Sequence, residues 1–173
     1  MNKAQIPEPW LRGTLTDVDP VQRAVLHALD LAKEDLERWC VNLSDDELNA
    51  RPSDLAPAAF HIRHIARSID RLLTYAEGTG LSFEQIALMK SELDPGARRE
   101  QVFSELNRAL RIGADRIRSF APENLCDRRT VGRQQMPTTV AGLLVHVADH
   151  TQRHVGQAIT TAKIVKASVV SRE

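Results

Sequence analysis

The sequence HVADHTQRHVGQ at residues 146–157 places His146, His150 and His154 four residues apart within a long segment of helical apolar periodicity. Side chains four residues apart lie on one face of an α-helix, so the three imidazoles share a face. Two imidazole nitrogens can then approach one metal ion at about 2.0–2.1 Å without bending the backbone. The stretch therefore predicts a long helix and indicates a metal site on it.

A helical wheel, drawn at about 100° per residue, separates these histidines. His154 lies at the edge of the apolar arc, His150 just beyond it, and His146 furthest toward solvent, so His150 and His154 form the better ligand pair. Another predicted helix carries His61 and His64, either of which could supply a third ligand, and His61 lies nearer its apolar centre. The alternative is that the histidines are packed, surface or pH-sensitive residues without a metal.

Helical periodicity defines three further long segments. Asp19 followed by Pro20 is a helix-start signal, because aspartate caps the first turn and proline fits its first position. Together with the histidine segment, long helices are predicted at residues 20–41, 57–75, 97–120 and 138–165. Four long amphipathic helices predict an all-α fold, a helical bundle.

Shorter elements are predicted between the long helices. Ser44 and Glu47 have the spacing of a capping box, which predicts a single helical turn. Ser82 can cap a short extra helix over residues 83–93. Both pieces connect the long helices and carry no histidine.

The remaining segments lack a sustained period. Residues 1–19 are predicted to form an N-terminal arm anchored by Trp10. The long loop before the last helix, residues 121–137, is predicted to contain an extended hairpin around Gly132 and is a candidate lid over a site.

Composition limits the classes of function. A chain of 173 residues with 42% hydrophobic residues can bury one core, so residues 1–173 are expected to form a single domain. Lysine plus arginine equals aspartate plus glutamate at 23 each, which argues against nucleic acid or anionic lipid as a partner. Without an apolar segment of membrane-spanning or signal-peptide length, we expect a cytoplasmic protein. The cysteines, Cys40 and Cys126, are expected to be reduced and structural.

Two motifs carry a family resemblance. The pattern Asn/Asp-His-x-x-x-His-x-Gly-Gln occurs at residues 149–157, and His-Ile-Ala occurs at residues 64–66. Together they resemble the DinB-like, YfiT-like superfamily of four-helix bundles, over nearly the whole chain. The resemblance implies an up-up-down-down bundle, often a homodimer, with a divalent metal ion between the second and fourth long helices.

The resemblance also assigns the ligands. It implies that His64, His150 and His154 hold the metal, which leaves His146 as an extra histidine and His61 as a reserve ligand. The family register is preferred to the wheel for the second helix, because a site between two helices lies on a flank of each. Imidazole ligands suit zinc, nickel or iron, and three of them leave positions open for water or substrate.

Two chemistries are compatible with such a site. Activation of water would make the protein a hydrolase, and some relatives look like low-molecular-weight-thiol S-transferases, so the expected partner is a small-molecule substrate. A non-catalytic metal-binding or stress-related interaction module is the alternative, and a sealed site would favour it. Asp149, Arg153 and Gln157 could orient the ligands or be solvated surface groups.

Overall fold

A computed structural model describes residues 6–170 of the chain, with side chains to residue 168. This part of the chain forms six α-helices and one two-stranded β-hairpin, which confirms the all-α fold class. In chain order the elements are α1 (Pro20–Trp39), α2 (Asp45–Asn49), α3 (Ala58–Ala76), α4 (Phe83–Lys90), α5 (Arg99–Ser119), β1 (Arg128–Val131), β2 (Met136–Thr139) and α6 (Val140–Val170).

Helices α1, α2 and α4 begin at the capping residues that the sequence indicates. The side chain of Asp19 accepts a hydrogen bond from the backbone N–H of Val21 at the start of α1. Ser44 and Glu47 form the predicted capping box of α2, and Ser82 forms a second one with Gln85 at α4. Each such cap contributes about 1 kcal/mol to helix stability, so local sequence sets these boundaries.

The four long helices bury their apolar faces in one shared cluster. Members that are almost inaccessible to solvent include Val25, Leu29, Leu36, Ile62, Ile65, Ile69, Leu73, Leu106, Ile117, Leu144, Val147 and Val155. Burying a Val, Leu or Ile side chain contributes roughly 1.5–3 kcal/mol. The packing of α1, α3, α5 and α6 around this cluster therefore fixes which face of α3 meets α6.

Helices α1 and α6 run parallel. The amide of Gln152 donates to the carbonyl oxygen of Ala28 at 2.7 Å, and Nζ of Lys163 lies 4.1 Å from the ring centre of Trp39. The second contact lies closer to the C-terminus than the first in both helices, as it must when the helices are parallel.

Helices α3 and α6 run antiparallel. His64 faces His150, while Ala56, just before α3, accepts a hydrogen bond from Thr161 at 3.3 Å. Earlier residues of one helix therefore meet later residues of the other.

Helices α3 and α5 run parallel, since Arg67 pairs with Glu105 and Asp70 pairs with Arg116, each at 2.7 Å. The long helices therefore follow an up-down-down-up order, and the up-up-down-down order implied by the resemblance is wrong. The reason is the connection over residues 77–98, which contains α4 and returns the chain along the bundle before α5 begins.

The loop before α6 contains the predicted hairpin. Strand β1 pairs antiparallel with β2 from Arg128 opposite Thr139 to Val131 opposite Met136. Nε of Arg129 donates to the carbonyl oxygen of Ala76 at 2.7 Å, so the hairpin lies at the C-terminal end of α3.

The hairpin does not cover the histidines. His64 precedes Ala76 by three helical turns, about 18 Å along the axis. The expectation that this loop is a lid over the histidine site is therefore wrong. The hairpin instead covers the opposite end of α3.

The N-terminal arm is fastened by an arginine. The guanidinium of Arg12 donates to both carboxylate oxygens of Glu34, at 2.6 and 2.8 Å. Trp10 is 61% exposed, so the prediction that it anchors the arm is wrong. Buried His27 contacts the hydroxyl of Thr14, and residues 1–5 lie outside the described part of the chain.

Both cysteines are free thiols, and only Cys40 has the burial expected of a structural cysteine. Cys40 is buried, and burial raises the pKa of its thiol to about 11, which keeps it protonated at neutral pH. Cys126 is exposed. In residues 6–170, no helix combines the length and the apolar character needed to cross a membrane.

Candidate metal centre

Helices α3 and α6 bring three histidines together. Each of His64, His150 and His154 offers one ring nitrogen such that the three atoms lie within 4.8 Å of one another. The ring centres of His64 and His154 are 4.4 Å apart, and those of His150 and His154 are 4.7 Å apart. All three residues are half-buried, so the group is a cluster that could hold a metal ion and that solvent can reach.

One distance in the cluster fits a shared ion. Nε2 of His64 lies 3.3 Å from Nε2 of His150. Two nitrogens bound at 2.0–2.1 Å to a tetrahedral ion are about 3.3–3.4 Å apart. A good hydrogen bond would bring the donor and acceptor atoms closer, to about 2.9–3.0 Å. That is about 0.3 Å less than the distance seen here. The donor set and its spacing therefore suit a divalent transition metal.

The remaining nitrogen of His64 has a carboxylate partner. Nδ1 of His64 lies 2.6 Å from Oε2 of Glu92, a residue between α4 and α5 that is only 5% exposed. Because an ionised carboxylate only accepts, Nδ1 carries the proton and Nε2 presents its lone pair toward His150. The second oxygen, Oε1, accepts from Nη1 of the buried Arg71 at 2.7 Å.

The ionised state of Glu92 follows from its contacts. Burial alone would raise the pKa of this carboxyl group, but the hydrogen bonds from His64 and Arg71, together with the charge of Arg71, outweigh burial and hold the pKa below its ordinary value. Glu92 is therefore a carboxylate at neutral pH. Sequence inspection missed this residue, because it lies near the end of the short helix predicted over residues 83–93, which carries no histidine and no ligand motif.

His61 lies behind the cluster. It is 6% exposed, and its Nδ1 lies 3.0 Å from Nδ1 of His154, which leaves Nε2 of His154 for the cluster. The central wheel position that favoured His61 as a ligand is the position that buries it in the core. The structure thus places His61 as a neighbour of one ligand candidate, outside the cluster of three.

Burial keeps these imidazoles neutral. Desolvation, with repulsion from neighbouring histidines as a smaller contribution, lowers the pKa of His61, His150 and His154 to about 4 each. Neutral imidazole is the form that binds a metal ion, so little proton release would oppose binding at pH 7.

Aromatic packing closes one side of the cluster. The ring of Phe60 stacks on His64 at 5.4 Å with an interplanar angle of 24°, and it meets His154 edge-on at 6.3 Å. Among the described residues, Nδ1 of His150 is buried without a hydrogen-bond partner. His64 and His154 are therefore held from two sides, whereas the polar contact of His150 is through its Nε2 to His64 and its Nδ1 is surrounded by packing.

The other polar candidates lie on the surface. Asp149 accepts a hydrogen bond from Arg153 at 2.6 Å, with both side chains more than half exposed, and Gln157 is also exposed. His146 is exposed, and its Nδ1 lies 3.7 Å from the Asp149 carboxylate. These residues form a solvated row beside the cluster and do not contact its ligand candidates through hydrogen bonds that the structure describes.

A separate cleft lies on another face of α3. A cavity of about 420 Å³ between α3, α4 and α5 is lined by Arg67, Asp70, Gln85, Glu105 and Arg116, among others. None of His64, His150 and His154 is among its lining residues. Four of its charged groups form two pairs, Arg67 with Glu105 and Arg116 with Asp70.

Fold and cluster together define a mostly helical protein with a candidate metal centre between two of its long helices. The chain belongs to the DinB superfamily, whose family model matches residues 28–158. This membership confirms the family suggested by the two histidine motifs.

A second comparison concerns the fold. The chain is similar to the crystal structure of a conserved protein from Enterococcus faecalis, with 19% identity and a TM-score of 0.71, covering 85% of this chain and 98% of that one. At this identity the likeness bears on the fold alone. No curated protein matches the sequence.

Proposed function

We propose that this protein binds one divalent transition metal ion through His64, His150 and His154. The observation that carries the proposal is the 3.3 Å separation of Nε2 of His64 and Nε2 of His150, with His154 completing the set. The imidazoles are the ligands that zinc, nickel and iron accept. The preference of the family register for His64 over His61 agrees with this ligand set.

We propose further that the site serves small-molecule chemistry. When bound, an ion with three protein ligands supplies Lewis acidity at its open positions. Three neutral imidazoles leave its positive charge uncompensated, so the site favours an anionic group such as a thiolate. A hydrolase or a low-molecular-weight-thiol S-transferase is therefore the reaction class to test.

The residues around the cluster have different roles in the proposed site. Phe60 covers one side of the His64 ring and restricts the approach of water there. Glu92 already accepts hydrogen bonds from His64 and Arg71, so it is not free to act as a general base. Substrate would approach from the solvent side, where the exposed residues His146 and Arg153 lie.

Metal analysis tests the binding proposal. After dialysis against metal-free buffer, wild type is expected to retain or rebind about one zinc or nickel ion per chain, as a three-histidine site predicts. His64→Ala and His154→Ala are expected to lose it, since each removes a ligand. His146→Ala is the matched control, because it removes an exposed histidine from the same helix. Full occupancy in His64→Ala would contradict the assignment.

A specific observation favours the non-catalytic alternative, a metal-binding or stress-related interaction module. The 420 Å³ cleft does not include the histidines. Cobalt(II)-substituted protein separates the two functions, because its visible absorption changes when a small thiol binds the ion. A spectral change on adding thiols supports the enzyme, and an unchanged spectrum together with no turnover of esters or thiol acceptors supports the module.

The homodimer remains a proposal taken from the family resemblance. Analytical ultracentrifugation of the metal-free and metal-loaded protein checks it. A sedimentation coefficient of a 19.3 kDa species at all concentrations would contradict it.

A further inference from the structure

We propose that Glu92 is a positioning residue for the metal site: held by Arg71, it fixes the tautomer of His64 so that Nε2 is free to bind. The inference rests on the proposed metal-binding function. It adds a residue that supplies no ligand atom and lies 28 positions away from His64 in sequence.

The carboxylate of Glu92 is divided between two partners. Oε1 accepts from Arg71 at 2.7 Å, and Oε2 accepts from Nδ1 of His64 at 2.6 Å. Arg71 and Glu92 are 8% and 5% exposed, so water does not compete for either contact. The Arg71 bond thereby aims the second oxygen at the imidazole.

The segment that carries Glu92 is fastened to α3 over its length. We call residues 88–94 the Glu92 segment. Nη1 of Arg67 donates to the carbonyl oxygen of Leu88 at 2.7 Å and to the hydroxyl of Ser91 at 3.1 Å. Nη1 of Arg63 donates to the carbonyl oxygen of Asp94 at 3.0 Å.

These arginines form one row on α3. Arg63, Arg67 and Arg71 are four residues apart, so they share the face of the helix that borders His64. Each of the three arginines donates a hydrogen bond to the Glu92 segment. Together these bonds hold the carboxylate of Glu92 beside the imidazole of His64.

The tautomer matters because only one form can bind through Nε2. A neutral imidazole carries its proton on either nitrogen, and a ligand with the proton on Nε2 must rearrange first. Partners that fix a ligand histidine in this way contribute about 10–100-fold to metal affinity. Loss of the carboxylate should weaken binding without removing a ligand.

The test uses Glu92→Gln in the full chain. Its amide can either accept from or donate to Nδ1, so it no longer imposes one tautomer. The zinc dissociation constant, measured by competition with a chromophoric chelator, is expected to rise about 10–100-fold. In the metal-free protein, the ¹⁵N shifts of His64 are expected to move from a single Nδ1–H tautomer toward a mixture.

Glu105→Gln is the matched control. It removes the carboxylate partner of Arg67, another arginine in the row, but within residues 6–168 Glu105 makes no hydrogen bond to a histidine. Its zinc affinity and His64 shifts are expected to equal those of wild type. An equal loss of affinity in both variants would overturn the proposal.

Three further outcomes would overturn the proposed role of Glu92. Wild-type zinc affinity in Glu92→Gln would overturn the role of Glu92 and leave the metal site standing. An Nε2–H tautomer of His64 in metal-free wild type would overturn it without any variant, which covers the case of a variant that does not fold. Absence of zinc binding by wild type would contradict the metal site, and the role of Glu92 with it.

Discussion

Gly113 lies where α3 and α5 leave no room for a side chain. A Cβ atom at this position would lie 2.7 Å from Cγ2 of Ile69, a buried residue. Gly113→Ala is therefore expected to lower the free energy of unfolding by about 1–3 kcal/mol, the usual cost of overpacking a core. Urea denaturation of the metal-free protein measures the change.

Gly156 on α6 is the matched comparison, since no described residue outside its own turn of helix lies within 4 Å of a Cβ atom built there. Gly156→Ala is expected to raise the free energy of unfolding by about 0.4–1 kcal/mol, because alanine restricts the unfolded chain. Changes of the same sign in the two variants would contradict the packing described for α3 and α5.

Single residues differ in how far sequence could predict their place. His150 and His154 follow from four-residue spacing, and His64 follows from the family motif. Glu92 could not be found, because its contact with His64 depends on how the connection between α3 and α5 folds back onto α3. The role of His61 was ambiguous for a physical reason. A position at the centre of an apolar face can bury a histidine in the core or direct it toward a metal ion between two helices.

The Glu92 segment should respond to metal as an element. A bound ion makes the Nδ1–H of His64 a stronger donor, which strengthens its bond to Glu92. Backbone amides of residues 91–94 are therefore expected to exchange with solvent several-fold more slowly in zinc-loaded protein than in metal-free protein. Hydrogen–deuterium exchange measures this, and the hairpin at residues 128–139 is the internal control. Equal slowing in both elements would indicate a general stabilisation.

Local signals predicted the elements better than their directions. The caps at Asp19, Ser44 and Ser82 and the turn at Gly132 lie where sequence placed them, because each depends on a few neighbouring residues. The direction of a helix has no such signal, since an amphipathic face packs equally well against parallel and antiparallel neighbours. The path of residues 77–98 sets the direction of α5 relative to α3, and no local pattern encodes that path.

The whole molecule should lose stability in acid when it is free of metal. The pKa of His61, His150 and His154 is about 4 in the folded protein, against 6.5 for an ordinary histidine. Between these values the unfolded chain binds more protons than the folded protein. The free energy of unfolding therefore has its highest value above about pH 6.5 and falls as the pH decreases toward 4.

Urea midpoints between pH 7 and pH 4.5 measure this dependence in the metal-free protein. His154→Asn is expected to flatten the curve, because it removes one of the neutral buried imidazoles. His146→Ala should keep the wild-type slope, since that side chain is exposed. A curve that is flat in wild type would contradict the burial of these rings.

The antiparallel contact of α3 with α6 has a consequence for the lifetime of the protein. Its candidate ligands are 86 residues apart in the chain, from His64 to His150. An ion held by both would act as a removable crosslink, and in the chain-entropy account a permanent link closing a loop of this length is worth about 4–5 kcal/mol. Chelation would then cut the link, speed unfolding and expose the chain to proteases, so the abundance of this protein would follow the supply of its metal.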